Sequence, residues 1–532
     1  MTEPDLSSDP NKAANEKPEL VTLIVSALGT DVAGVLAELE VALRSVSYRP
    51  EQVRVSDLLR RNPAEFGAKE REPEQSEPEW LMSLGDQLRL SWERTDAAAL
   101  MAMIEMRRMR EVAVGGDDGS ALPERAGVAT ILLSAKRPEE IKTLRLVYGS
   151  RLFVIGVSSP ERDRRKYLLR RLAEQGYGES NADQVAEAER LLSRDEADED
   201  NLAWGQSLRK AFAKSDAFVR LRHGSPASGA VQRLVDLWFG KAFETPSRDE
   251  QAMFHAYASR FRSAATGRQV GAVVVDAEGE VLVTGTNDVP KPGGGQYWSG
   301  DEPDHRDFKL RYETNDVGKR GVLRDVLDRL ALSGWLSQER SATPSAERAD
   351  AAISEGGPLE GSKITDLLEF GRIMHAEMAA ICTAARRGTA IGRGVLYTTT
   401  YPCHECARLI IGAGITRVVY IDPYPKSQVE LMYEHLIAEA PDADSPDRVT
   451  FMPFEGIGPA LFPRVFQMRQ RGRDLRGAFE AWKPSPLAVW GPDVPPGIEL
   501  EALALNELAR VAVDGDDTAS DDGSASMSPA QT

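Results

Sequence analysis

Cysteine is scarce in this chain, which has three cysteines among 532 residues. A fold held together by disulfides needs many more cysteines, so this count excludes a disulfide scaffold. It fits a protein of the reducing cytoplasm. Long apolar runs are missing as well, and none reaches the roughly 20 residues that cross a bilayer. Residues 1–18 are polar and show no secretory signal. We therefore expect a cytoplasmic protein that does not bind membranes.

Positive charge is also in short supply. The chain carries 65 lysine and arginine residues against 83 aspartate and glutamate residues, which gives a net charge of −18. A broad nucleic-acid-binding surface needs clustered basic side chains, so this balance argues against one. The basic residues between Arg162 and Arg171 lie close together, and we interpret them as the solvated face of a helix.

The length of the chain predicts two domains with additional tails, because a single hydrophobic core rarely grows to this size. Residues 1–18 hold little to bury, and residues 511–532 are rich in aspartate, serine and glycine. Both are predicted to be disordered tails. The segment Thr245-Pro246-Ser247 indicates a joint, which places the two domains at residues 19–245 and 246–510.

In residues 19–245, strand-like apolar segments alternate with helical ones, which predicts a mostly parallel, doubly wound α/β domain. An apolar run from Leu20 to Leu28 is followed by a turn at Gly29-Thr30-Asp31 and then by a helix. This is the local plan of a phosphate-binding loop. The lysine of the G-x-x-x-x-G-K-[ST] motif is missing, and Asp31 would repel phosphate. We interpret the loop as degenerate and the domain as regulatory.

Two short motifs in the second domain combine the side chains of a metal site, His375-Ala376-Glu377 and Pro402-Cys403-His404-Glu405-Cys406. Cys403 and Cys406 are three residues apart and share one face of a helix. One histidine and two thiolates make three zinc ligands and leave a fourth position for water. Glu377 can stand beside that water without binding the metal. The same H-x-E…P-C-x-x-C signature is known from the zinc deaminases, where the glutamate is the general acid and base.

A lone C-x-x-C pair also fits a redox site or a structural zinc site. A structural site needs a fourth ligand, and Cys382 is the remaining cysteine. It lies in an apolar run, so we interpret it as a buried free thiol. His404 is expected to point away from the metal. The combined motifs therefore predict a catalytic Zn²⁺.

From Asp249 onward, the predicted order is helix, hairpin, His-x-Glu helix, strand, Pro-Cys-x-x-Cys helix and strand. This order resembles the cytidine deaminase fold, an α/β/α architecture, and most closely the deoxycytidylate deaminases. The residues that carry the resemblance are Arg262-Ser263, Arg268 to Ala272, Gly285-Thr286-Asn287, His375 to Glu377, Leu396 to Cys406, and Gly414 to Tyr420.

The first domain is similar to the phosphate-loop (P-loop) kinases in Pro138-Glu139-Glu140-Ile141, Tyr148-Gly149 and Ile155-Gly156-Val157. The two domains in this order resemble the two-domain bacterial deoxycytidylate deaminases, some of which act in anti-phage defence. Residues 296–374 replace a short connection in simple deaminases and form an inserted segment. We expect a homo-oligomer, whose regulatory ligand is a nucleotide, an RNA or a phage product.

The resemblance implies hydrolytic deamination of deoxycytidine nucleotides, with dCMP or dCTP as substrate. Water activated by zinc would attack C4 of cytosine, and Glu377 would carry protons to N3 and to the leaving amine. Asn287 would contact the sugar or base edge, with a turn at the end of a strand as its alternative role, and the Tyr401 carbonyl would accept from the 4-amino group. Tyr424 would either cover the base or pack under the last strand. The full set of predicted substrate contacts is Asn287, Ala376, Tyr401, Tyr424, Arg262 and Arg268. The two arginines are candidate phosphate ligands, although a surface ion pair is the preferred interpretation of each.

Two other functions remain open. A deaminase of tRNA or single-stranded DNA would show aromatic and basic residues interleaved near the site. The acidic balance and the kinase-like first domain disfavour it. A non-catalytic, nucleotide-sensing zinc module would leave Glu377 without a role, so the presence of that residue beside His375 favours an enzyme.

Overall fold

The computed structural model describes most of the chain between residues 17 and 506. The described ranges are 17–61, 63–72, 74–114, 125–133, 135–178, 180–196, 204–222, 224–354, 356–367, 369–422, 429–439, 447–467, 478–479, 481–484 and 500–506. Nearly all of the predicted N-terminal tail, the whole predicted tail 511–532 and Tyr424 lie outside them. The chain divides into two compact units, one that ends at Thr245 and resumes at Gly456, and one that spans Pro246–Glu455.

The strands of the described residues are, in chain order, Leu20–Ser26 (β1), Arg49–Arg54 (β2), Val128–Leu133 (β3), Leu152–Ser158 (β4), Ala217–Arg220 (β5), Gly271–Val275 (β6), Val281–Thr286 (β7), Val395–Thr400 (β8), Arg417–Asp422 (β9), Ile437–Glu439 (β10), Val449–Pro453 (β11) and Gly456–Ile457 (β12).

The helices of the first unit are Ala33–Ser45, Val55–Arg61, Glu77–Ser91, Ala97–Val114, Pro138–Tyr148, Glu161–Glu174, Asn181–Glu196, Leu208–Phe212, Ala230–Trp238 and Phe462–Phe466, and short 3-10 turns cover Pro63–Phe66 and Gly149–Arg151. Those of the second unit are Arg248–Arg260, Asp307–Leu310, Thr314–Leu332, Gln338–Ala342, Ser345–Ile353, Ala376–Arg387, His404–Gly412 and Val429–Tyr433, with a 3-10 turn at Lys363–Asp366. Among the described residues, we find no helix with the length and apolar character needed to cross a membrane.

The first unit is built on a sheet of order β12-β5-β4-β1-β3-β2. β12 runs antiparallel to β5, and the other neighbouring strands are parallel. β3 is buried along its whole length, and β1 and β4 are buried except at their last residue. Parallel strands covered by helices on both faces require such continuous apolar runs. The structure therefore confirms the parallel α/β sheet that the sequence predicted for this part of the chain.

The end of the chain differs from the predicted plan, which assigned everything from residue 246 to residue 510 to the second domain. β12 pairs with β5, and the backbone N–H of Gly458 donates to the carbonyl of Asp216 at 2.6 Å. Further on, Glu501 is buried in the first unit and accepts from Arg110 at 2.6 Å and from Tyr148 at 2.6 Å. The chain thus returns to its first unit, because that unit offers an open strand edge and a buried cation.

The second unit is built on a sheet of order β10-β11-β9-β8-β6-β7. The four strands from β8 to β11 are parallel, whereas β6 is antiparallel to β8 and pairs with β7 as a hairpin. The turn of the hairpin is closed by Asp276, whose carboxylate accepts from the N–H groups of Glu278 and Glu280. The inserted segment forms a small apolar cluster of its own around Leu323 and Ala349.

Candidate active site

Three predicted metal ligands converge at the start of two helices. His375 immediately precedes the helix Ala376–Arg387 (the histidine helix), and Cys403 immediately precedes the helix His404–Gly412 (the cysteine helix). Cys406 lies in the first turn of the cysteine helix. The Nδ1 atom of His375 is 3.3 Å from the Sγ atoms of both cysteines, and the candidate ligand atoms all lie within 4.8 Å of one another.

Hydrogen bonds within the trio set its charges. The hydrogen bond from Cys406, followed by that from His375, lowers the pKa of Cys403 to about 4. The hydrogen bond to Cys403 raises the pKa of His375 to about 9. The hydrogen bond to Cys403, followed by burial, raises the pKa of Cys406. A helix N-terminus also favours thiolate over thiol, so Cys403 is the sulfur whose anionic form these contacts stabilise.

The donor set fits zinc. Two sulfur atoms and one imidazole nitrogen are the ligands that zinc prefers, and both cysteines are buried. In the described part of the chain, the clustered metal-ligating group consists of these three residues alone, so His404 does not contribute. Three protein ligands leave a fourth position for water or substrate, as in catalytic zinc sites.

Glu377 lies beside the ligands. It is in the first turn of the histidine helix and only 4% exposed. Its Oε1 atom accepts from Thr398 at 2.9 Å, and its Oε2 atom is 3.4 Å from the Sγ atom of Cys406. Burial raises the pKa of Glu377. A carboxyl group beside the metal ligands can take up and release protons as a general acid and base.

The start of the histidine helix is fixed by close contact with β7. A Cβ atom at Gly285 would lie 2.1 Å from the carbonyl oxygen of Ala376 and 2.6 Å from the backbone nitrogen of Ala380. Only glycine allows the strand to approach the helix backbone so closely. Ala376, which the sequence placed at the substrate, is fully buried in this contact region.

Asn287 uses its side chain to organise the loop before β6. Its Oδ1 atom accepts from the N–H of Val270 at 2.6 Å, and its Nδ2 atom donates to the carbonyl of Arg268 at 2.7 Å. Asn287 is 8% exposed. Each amide atom keeps one further hydrogen-bonding position, so contact with a substrate stays a prediction.

Both predicted phosphate ligands have protein partners. Arg262 stacks over Trp298, with its guanidinium carbon 3.8 Å from the centre of the ring, and donates to the carbonyl of Gln296 at 3.1 Å. Arg268 forms an ion pair of 3.0 Å with Asp422. Nearly half of the Arg268 side chain is exposed, and such exposed pairs are weak and exchange readily. The structure therefore leaves the phosphate role of both arginines as a prediction.

Tyr401 is buried in the same apolar cluster as Cys403 and Cys406. Its ring meets those of Tyr420 and Phe451 edge-on, with centroids 4.8 and 5.6 Å away, and its hydroxyl donates to Glu439. Its N–H donates to the carbonyl of Asp422 at 2.8 Å. These contacts fix the backbone just before Cys403. The predicted role of the Tyr401 carbonyl stays untested, and Tyr424 is among the residues the structure does not describe.

Cys382 corrects one prediction, since its thiol is free but exposed. The histidine helix buries Ala376, Ala380 and Ala384 on one side, and Cys382 lies on another. It borders a cavity of about 140 Å³ that Lys291 also lines. Apolar neighbours in sequence therefore did not indicate burial, because residues two apart on a helix face different directions.

Sequence reasoning missed Thr398, a fully buried residue of β8 that contacts Glu377. It lies within Leu396 to Cys406, a segment that carries the resemblance, but the sequence analysis gave it no role of its own. The available signal was strand alternation, which places Thr398 and Thr400 on the same face of β8. Strand alternation alone does not say which face of β8 meets Glu377. In the structure, β8 pairs with β6, and the face that carries Thr398 lies against the histidine helix.

Comparison with known proteins supports the zinc site. Residues 246–422 match the family model described as the cytidine and deoxycytidylate deaminase zinc-binding region. The deoxycytidylate deaminase of Enterobacteria phage T2 is 42% identical over 55 residues, which cover 10% of this chain and 29% of that protein. ComE operon protein 2 of Bacillus subtilis (strain 168) is 42% identical over 103 residues, covering 19% of this chain and 54% of its own length.

The chain thus spans about half or less of the length of these curated relatives. Among solved structures, the apo dCMP deaminase of cyanophage S-TIM5 aligns with 39% of this chain and 98% of its own, at 16% identity and a TM-score of 0.21. The family match and the converging ligands together confirm the zinc-binding deaminase region predicted from the two motifs.

Proposed function

We propose that this chain catalyses the zinc-dependent hydrolytic deamination of a deoxycytidine nucleotide, dCMP or dCTP, to the corresponding deoxyuridine nucleotide. The observation that carries the proposal is the buried carboxyl group of Glu377 next to the converging side chains of His375, Cys403 and Cys406. A structural zinc site has no use for a buried carboxyl group at this place. The relatives described as deoxycytidylate deaminases support the same reaction class.

Zinc, when bound, supplies a Lewis acid that makes water a nucleophile near neutral pH. The protein's part is to handle protons. Overall, water adds at C4 of cytosine, the bond from C4 to the exocyclic nitrogen breaks, and ammonia leaves. Glu377 receives one proton from water and delivers it to N3, and it then takes the second proton from the new C4 hydroxyl and delivers it to the leaving amine, so that the product keeps a proton on N3 and a carbonyl at C4. Thr398 holds the carboxyl group by its hydrogen bond to Oε1.

The remaining predicted contacts complete the proposal. Asn287 and the Tyr401 carbonyl position the sugar and the amino group, and Arg262 and Arg268 receive the phosphate. For Arg268 this requires exchange of its exposed pair with Asp422 for a phosphate oxygen. Phosphate bears more charge than a carboxylate and accepts charge-assisted hydrogen bonds well. The first unit, interpreted as kinase-like with a degenerate loop, has a regulatory role in this proposal, and the anti-phage setting belongs to it too.

The test uses the purified full-length chain with zinc. We expect ammonia release from dCMP or dCTP, little from CMP or CTP, and none from cytosine in single-stranded oligonucleotides. The Glu377→Gln variant should lose activity by about 100-fold or more, since general acid–base catalysis contributes about 10²–10⁴-fold. Its zinc content should be unchanged. Glu278→Gln, at an exposed turn of the same unit, is the matched control.

Two results would overturn the proposal. One is activity on oligonucleotides without activity on free nucleotides, which would favour a polynucleotide deaminase. The other is full turnover by zinc-loaded Glu377→Gln, which would remove the assigned role of the carboxyl group.

A further inference from the structure

The loop after β1 lies at the centre of the first unit. β1 pairs with β3 on one side and with β4 on the other, and the chain leaves β1 toward β2 at the far edge beyond β3. In open parallel sheets, ligands bind outside the carboxyl ends of the strands where the strand order changes direction. The loop that starts at Ala27 is at such a position.

A lysine from the neighbouring strand supplies the cation that the loop itself lacks. Lys136 follows the end of β3, and its Nζ atom donates to the carbonyl of Ser26, the last residue of β1, at 3.3 Å. The lysine side chain is 17% exposed. The phosphate-loop motif has its lysine within the loop itself. Here the fold brings Lys136 to the same place from a distant part of the chain.

Asp195 supplies an anion at this place. It comes from the helix Asn181–Glu196, and its side chain is completely buried. Its Oδ1 atom accepts from Lys136 at 2.8 Å, and its Oδ2 atom accepts from the backbone N–H of Leu28 at 2.6 Å. A lysine ammonium and a loop N–H are the two kinds of donor that hold a phosphate group at a glycine-containing loop.

The loop keeps further features of a ligand site. Gly29 has φ +81°, and a Cβ atom there would lie 2.6 Å from the carbonyl oxygen of Arg164. Only glycine therefore fits the turn. Thr30 is 8% exposed, and its Oγ1 atom is buried without a hydrogen-bond partner among the described residues. Buried hydroxyl groups are normally paired, so an unpaired one in the loop after β1 points to a missing partner.

We propose that the carboxyl end of β1 is a binding site for a phosphate group and that Asp195 fills it in this structure. The ligand enters by replacing the Asp195 carboxylate on Lys136 and Leu28, which releases the end of the helix Asn181–Glu196. Because Asp195 is part of the same chain, its effective concentration is high. A ligand with several phosphates competes better than one with a single phosphate, since each adds charge. This proposal does not depend on the deaminase assignment.

The test measures ligand binding to the full-length chain, by calorimetry and by the melting temperature, with phosphate, pyrophosphate and dCTP at constant ionic strength. We expect weak binding by the natural chain. Asp195→Asn keeps the size and one acceptor but removes the charge, and Asp195→Ala also opens space. Both should bind pyrophosphate about 10-fold more tightly or better, in line with the loss of one competing charged contact. Adding Lys136→Met to either should abolish the gain.

Asp86→Ala is the matched control, because Asp86 forms an ion pair with Arg194 on the same helix without touching the loop. It should show no gain in anion binding.

In the natural chain, saturating pyrophosphate should speed amide hydrogen exchange in residues 181–196. The proposal is overturned if both Asp195 variants respond to every anion as the natural chain does, or if Lys136→Met leaves the gain intact. Equal affinity for pyrophosphate and dCTP identifies a phosphate site, and much tighter dCTP binding identifies a nucleotide site.

Discussion

Thr398 donates a hydrogen bond of 2.9 Å to Glu377, and both side chains are buried. The same hydroxyl oxygen lies 3.1 Å from the carbonyl oxygen of Thr400. A hydroxyl group has one proton to donate and can also accept. Thr398 can therefore donate to a charged Glu377, or accept from a protonated one while donating to Thr400. The hydroxyl thus holds the carboxyl group through both halves of a proton transfer.

We predict that Thr398→Val lowers kcat by about 10- to 100-fold, which corresponds to the loss of one hydrogen bond to a charged group. The KM for nucleotide and the zinc content should change little, because valine fills the same space. Thr398→Ser should keep most of the activity, since it retains the hydroxyl. Steady-state kinetics on zinc-loaded protein checks this, and full kcat in Thr398→Val would contradict it.

The three cysteines should respond differently to replacement by serine. We expect Cys403→Ser and Cys406→Ser to lose most of their zinc during dialysis against a mild chelator, because a hydroxyl is a poor substitute for a thiolate. Cys382→Ser should keep its zinc, since that thiol is exposed and outside the cluster. Metal analysis per chain decides the matter. Equal zinc loss in all three variants would show that destabilisation, and not ligand removal, is responsible.

Gly285→Ala tests how β7 positions the histidine helix. The added methyl group would lie 2.1 Å from the carbonyl oxygen of Ala376, so strand and helix must separate. Such overpacking typically costs about 1–3 kcal/mol. We expect a lower melting temperature together with weaker zinc binding, because His375 precedes Ala376. Gly267→Ala is the control, since a Cβ atom there meets nothing within 4 Å. Unchanged zinc affinity in Gly285→Ala would disprove the positioning argument.

Glu501 should stabilise the first unit through its buried contacts. Removal of the Glu501 carboxylate leaves Arg110 with its ion pair to Glu19 and takes the acceptor from the hydroxyl of Tyr148. Breaking a buried ion pair on one side costs about 3–5 kcal/mol. We expect that loss for Glu501→Ala in urea unfolding. Glu111→Ala, which removes an exposed pair with Arg107, should cost less than about 1 kcal/mol. Similar losses in both variants would contradict the argument.

Glu105 gives a stability contribution that depends on pH. The hydrogen bond from Arg108, with a second from Arg61, lowers the pKa of Glu105 to about 2 in the folded state, from 4.5. A lowered pKa stabilises the folded state above pH 4.5, and the effect is lost as pH falls from 4.5 toward 2. Because both arginines are more than half exposed, we expect Glu105→Gln to cost only about 1 kcal/mol at pH 7. The difference in unfolding free energy should shrink below pH 4.5, and a constant difference would refute the assignment.

Local patterns in the sequence predicted the parts of the structure that depend on local physics. The apolar runs of β1, β3 and β4 indicated a parallel sheet, and the two zinc motifs placed all three ligands. Asp195, by contrast, meets Leu28 across 167 residues, and no local pattern can report such a contact. The prediction that Cys382 is buried was wrong for the same reason, since burial depends on which face of the helix the rest of the fold covers.

The return of the chain to its first unit determines the order in which the two units can finish folding during synthesis. β12 and Glu501 leave the ribosome only after the whole of Pro246–Glu455 has been made. Domains tend to fold as they emerge, so the unit Pro246–Glu455 with its zinc site is complete while the first unit still lacks its edge strand and a buried partner of Arg110. The zinc-binding unit is therefore finished first, and the unit proposed to control it closes last.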